Sequence, residues 1–113
     1  DCPSDIKLYY FYTEWCPHCK KSKPKIINLL KKYGVDITAE TFNEKSEGNF
    51  TVKNSTVHYK LLDGDDTSKN GTVLDKYKVE GYPTILIDNN SKILNFDAQP
   101  DLEKLVTFLE SAC

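Results

Sequence analysis

No apolar run in the 113-residue chain approaches the roughly 18–20 residues that span a bilayer, so no membrane segment is expected in it. Neither sign of charge dominates. Fifteen basic against 17 acidic residues leave a net charge of -2, which is no footprint for nucleic acid, and that class of partner is set aside. Cysteines are few: Cys2, Cys16, Cys19 and Cys113 cannot scaffold a disulfide miniprotein, and 39% hydrophobic content makes such a scaffold unnecessary. A zinc site needs about four ligands, commonly as two pairs. Beyond the run holding Cys16, His18 and Cys19, only Cys2, His58 and Cys113 remain, with no second pair at normal spacing, so no metal is expected. The Asp63–Asp66 cluster lacks the spacing of a calcium loop and reads as a turn. Repeats and low-complexity tracts are missing too, which leaves one domain over 1–113, expected as a monomer. The chain opens at Asp1 without a signal-peptide pattern, the start expected of a processed protein or an excised fragment.

What is present is a sequence of short periodic segments. Residues 6–12, IKLYYFY, suit a buried strand. Ile26, Leu29, Leu30 and Tyr33 form the stripe of an amphipathic helix that Gly34 stops and Pro24 should kink. Val35–Phe42 alternates like a second strand. Residues 44–70 lose periodicity and read as a loop-rich insertion, with a short strand or helix around Val57–Leu62. A helix over 72–78 carries Val73, Leu74 and Tyr77. A strand Ile85–Ile87, a polar turn 88–91 and a strand Ile93–Phe96 make a hairpin. Leu102, Leu105, Val106 and Leu109 mark a last helix, opened near Pro100 and Asp101. The order is βαβ followed by ββα, which predicts an α/β fold with a four-stranded mixed sheet and helices on both faces.

Between the first strand and the first helix stands Trp15-Cys16-Pro17-His18-Cys19-Lys20. Two cysteines at i, i+3 on a helix start can close a tight disulfide. Free backbone N–H groups and the helix dipole there stabilise a thiolate at Cys16, the attacking group in thiol–disulfide exchange. Cys19, one turn inside, would resolve the mixed disulfide, and His18 would favour the Cys16 thiolate. Trp15 is expected as a partly exposed wall of the site, with core packing as the alternative.

These elements, with Pro24 five residues beyond Cys19 and the string YKVEGYPTILI, resemble the thioredoxin fold family in its smaller, glutaredoxin-like form. The resemblance covers about residues 6–111. It implies a cis bond at Pro83, with the Tyr82 backbone beside Cys16 and free to pair with an extended substrate. It implies a thiol–disulfide oxidoreductase acting on protein cysteines, recharged by a separate redox partner, with the Cys16–Cys19 disulfide as its only redox group. The Pro17-His18 pair is similar to that of bacterial periplasmic disulfide oxidases, and isomerases share the histidine. The lean is therefore to oxidation or isomerisation, with a thioredoxin-like reductant and a non-catalytic binding or chaperone module as alternatives. One family feature is missing: the buried carboxylate six positions before the first cysteine is Tyr10 here, and Glu14 falls at a normally exposed position. Base-assisted turnover of Cys19 should suffer unless water or the Tyr10 hydroxyl substitutes.

In this topology both termini reach the end of the sheet away from the CxxC. A Cys2–Cys113 disulfide is expected there, against free thiols or intermolecular pairing, and would add at most about 4–5 kcal/mol in the entropic model. Such a bond, and sequons at Asn49, Asn54, Asn70 and Asn89, favour an oxidising compartment (secretory pathway, periplasm, extracellular or virion) over the cytoplasm.

Overall fold

Strand β1 (Asp5–Tyr12) is buried on alternate residues at its start and on every residue from Leu8 onward, as a strand covered on both faces must be. The computed structural model describes residues 4–112; Cys2, Cys113 and the disulfide expected between them lie outside the described residues. After β1 come α1 (Pro17–Lys32), β2 (Glu47–Val52), β3 (Ser55–Asp63), α2 (Thr67–Lys76), β4 (Thr84–Asn89), β5 (Lys92–Asn95) and α3 (Leu102–Ser111). They form an α/β thioredoxin-like fold, a mixed sheet in the order β2-β3-β1-β4-β5. At its centre β1 runs parallel to β3, Asp5 opposite Thr56 through Tyr12 opposite Asp63, and antiparallel to β4.

Side-chain alternation splits the core in two. Ile6, Leu8, Tyr10 and Tyr12 point to one face, where Ile26, Leu29 and Leu30 of α1 and Leu105 and Leu109 of α3 cover them. Tyr9 and Phe11 point to the other, under Val73 and Leu74 of α2. Helix α1 runs unbroken across Pro24 and ends as its sequence implies. Gly34, at φ +88, closes the last turn with its N–H on the Lys31 carbonyl at 3.0 Å. Asp101 caps α3 by accepting from the Lys104 N–H at 2.8 Å. The β4–β5 turn places Asn90 and Ser91 at φ 52 and 74, the left-handed pair a two-residue hairpin requires.

Three expectations need correction. The sheet has five strands, not four, because residues 44–70 are not a loop-rich insertion: they carry the β2–β3 hairpin and the first residues of α2. Val57, Tyr59 and Leu61 turn inward while His58 and Lys60 face solvent, so β3 is an ordinary half-buried alternation. Val35–Phe42 is not a strand. The Thr38 N–H donates to Thr41 Oγ1 at 2.9 Å and the Thr41 N–H to the Thr38 carbonyl at 3.2 Å, closing a turn in place of a ladder. Ile37 and Phe42, both 0% exposed, are plugs on either side of that turn. Finally, α2 begins at Thr67 rather than 72, its first turn closed by the Asn70 N–H on the Asp66 carbonyl at 2.8 Å.

Candidate active site

Strand β1 delivers the chain to the top of the sheet, Thr13–Trp15 turn it, and Cys16 becomes the N-cap of α1 with extended backbone, φ -79 and ψ 119. Pro17 follows at the first helical position, where its missing N–H costs nothing. In that position the Cys16 sulfur accepts the Cys19 N–H at 3.4 Å and donates its own proton to the Tyr82 carbonyl at 3.4 Å. The Tyr82–Pro83 bond is cis. Both cysteines are free thiols, 5% and 3% exposed. Cys16 is thus less open than a helix-start position implies.

The two thiols differ in proton affinity. Burial acts to raise Cys16, but the Cys19 thiol and the backbone N–H groups of Cys19 and His18 outweigh it and hold Cys16 below its ordinary 9.0. Burial together with the neighbouring Cys16 pushes Cys19 up to about 11, against an opposing pull from the Thr13 backbone. His18 acts on the nucleophile through its backbone; its exposed side chain lines a groove of about 360 Å³ together with Lys21, Ser22, Lys25, Pro83 and Phe96. Trp15 is 64% exposed and not packed in the core.

Tyr10 lies 1% exposed beneath α1. Its hydroxyl is 2.6 Å from Ser22 Oγ and donates to the Cys19 carbonyl at 3.3 Å. Burial holds it well above the usual tyrosine range, against the lowering effect of Ser22. It is a fixed neutral group, committed to the backbone, and not a base for Cys19. Glu14 is exposed.

Two residues were not singled out from sequence. Gly64 donates its N–H to the Tyr12 carbonyl at 2.7 Å, and a Cβ there would collide with the Tyr82 ring. Thr13 is 1% exposed and its Oγ1 has no hydrogen-bond partner among the described residues, a state that costs about 1–3 kcal/mol for a buried hydroxyl. Neither carries a local signal, because both roles depend on neighbours distant in the chain. Among the described residues no group of three or more His, Cys, Asp or Glu could hold a metal, and no helix is long and apolar enough to cross a membrane.

Comparisons with known proteins fit this geometry. The thioredoxin family profile matches residues 3–59. Bovine protein disulfide-isomerase A4 is 32% identical over 112 residues, 96% of this chain, but the chain spans only 14% of that relative's length. Two solved structures share the fold, each with a TM-score of 0.64. They are the first thioredoxin domain of mouse protein disulfide-isomerase A4 (22% identical, covering 96% of this chain and 64% of that one) and thioredoxin-2 of the malaria parasite (20%, covering 98% and 86%).

Proposed function

The chain belongs to the thioredoxin family, and from that premise we propose that it is a thiol–disulfide oxidoreductase acting on cysteine-containing proteins through Cys16 and Cys19. The observation that carries the reading is Cys16 at the N-cap of α1, its sulfur accepting the Cys19 N–H at 3.4 Å and lying against the Tyr82 carbonyl that precedes the cis proline. In the oxidising direction a substrate thiolate attacks Cys16 Sγ of the Cys16–Cys19 disulfide. A Cys16–substrate bond forms, and Cys19 leaves with the electron pair and is protonated. A second substrate thiolate then attacks the substrate sulfur, and Cys16 leaves as the thiolate its backbone donors stabilise. A separate redox protein re-forms the disulfide, and no further cofactor is needed. The Tyr82 carbonyl and Pro83 flank the sulfur, and the groove holding His18 and Lys21 extends beside Pro83 for the substrate chain.

Stabilising the reduced pair raises its potential, and the Pro17-His18 sequence favours oxidase or isomerase work in an oxidising compartment. A measured reduction potential near about -270 mV would instead assign the chain to the reductants. The committed Tyr10 hydroxyl in place of a carboxylate favours one second reading, a non-catalytic binding module on the same fold. Cys19→Ser decides between them. The variant should accumulate mixed disulfides between Cys16 and partner proteins, resolvable by reductant on gels; a variant that traps none would leave the binding module.

A further inference from the structure

Tyr10 is no base for Cys19, and yet Cys19 is not sealed off. A cleft of about 390 Å³ reaches it, lined also by Tyr12, Thr13, Glu14, Lys20 and Lys23. Lys23, which lines this cleft, holds its Nζ 4.6 Å from the centre of the Phe42 ring. The orphaned Thr13 hydroxyl sits between strand end and helix start in the lining of this cleft, where the neutral Cys19 thiol offers only a weak acceptor. A thiolate is a strong one.

We propose that Thr13 stabilises the Cys19 thiolate: its hydroxyl donates to the sulfur whenever Cys19 carries charge, and water in the cleft exchanges the proton. The proposal rests on the oxidoreductase reading. When the Cys16–Cys19 bond breaks, its electron pair leaves on Cys19, Thr13 Oγ1–H donates to that sulfur, and a proton enters from cleft water. In the opposite direction Cys19 gives its proton to that water and attacks Cys16 Sγ, and the substrate departs as thiolate. The other ionisable groups around Cys19 are Cys16 and Lys20 on α1, Tyr10 on β1, Tyr82 in the loop before β4, and Glu14 and Lys23 at the cleft. Tyr10 and Tyr82 are both held above the ordinary tyrosine value, so neither takes the proton near neutrality.

The test is the reaction of the reduced protein with 5,5′-dithiobis(2-nitrobenzoate) by stopped flow. The first nitrothiobenzoate released reports attack by Cys16 and the second reports resolution by Cys19. Thr13→Val should leave the first phase intact, slow the second about tenfold near neutral pH and move its pH midpoint upward. Thr13→Ser should restore it, and Thr13→Ala repeats the loss with less volume should valine impair folding. A second phase in Thr13→Val equal to wild type, or Thr13→Ser as slow as Thr13→Val, overturns the proposal. If the wild type releases nothing, the oxidoreductase reading is what fails. A ¹³Cβ titration of Cys19 in the reduced protein then still decides on Thr13, since an unmoved midpoint in Thr13→Val refutes its role.

Discussion

The surroundings of Cys16 and Cys19 differ more than three residues of separation would imply. Cys16 is held by the Cys19 thiol and by backbone: the N–H of Cys19 and of His18, with the carbonyl of Tyr82 beside it. Around Cys19 side chains of this sequence gather: Tyr10 and Ser22 on its carbonyl, and Tyr12 and Thr13 along the cleft that reaches it, with the Thr13 backbone also acting on the thiol. The nucleophile therefore leans on backbone groups and its partner thiol, while the resolving thiol is surrounded mainly by side chains particular to this sequence.

The largest way to sharpen that contrast is pH. Cys19 is raised by burial to about 11 and Tyr12, also by burial, to about 12, so each contributes stability that is fully present below its unfolded value and lost as pH rises through its folded one. Cys16 is lowered and has the opposite sign: its contribution is present above the unfolded thiol value and lost as pH falls through the folded one. The urea midpoint of the reduced protein should fall steeply between about pH 9 and pH 12. A flat profile there would mean the Cys19 side is no more protected than the Cys16 side. Next in size is Gly64→Ala, which pushes the Tyr82 ring and should destabilise by about 1–3 kcal/mol in urea titration. Because Tyr82 borders Cys16, its kinetic effect should fall on Cys16 alkylation by iodoacetamide; an equal change at Cys19 would break the separation. Smallest is Tyr10→Phe, which removes the bonds to Ser22 and the Cys19 carbonyl and should cost about 1 kcal/mol. Since that hydroxyl is no base, the pH dependence of Cys19 resolution should keep its shape, and a lost basic limb would restore Tyr10 as a proton carrier.

Features written in neighbouring residues were legible before the structure. The run IKLYYFY, the CxxC at a helix start, the stripe of α1, the Asn90–Ser91 turn and the capped last helix are all local patterns. The β2–β3 hairpin was obscured by Gly48, Asn49 and Asn54, which punctuate it, although Val57-His58-Tyr59-Lys60-Leu61 alternates cleanly within it. Val35–Phe42 misled for the converse reason: its apolar residues suggest alternation, but the buried plugs Ile37 and Phe42 stand five residues apart on either side of the turn that Thr38 and Thr41 make. At the site, the cysteines and Pro83 sit in a motif, whereas Thr13 and Gly64 act through burial and through Tyr82, contacts that no local pattern encodes.

The central position of β1 has a consequence for the order in which the protein is made. Its two sheet partners are β3, paired from Thr56 onward, and β4, which begins at Thr84, and the nucleophile's contact with Tyr82 spans 66 residues. A ribosome releasing this chain from its N-terminus exposes Cys16 and Cys19 long before it has synthesised the carbonyl and proline that flank them. Early in translation the pair consists of two unguarded cysteines, and it acquires its partners only once Tyr82, 66 residues beyond Cys16, has emerged.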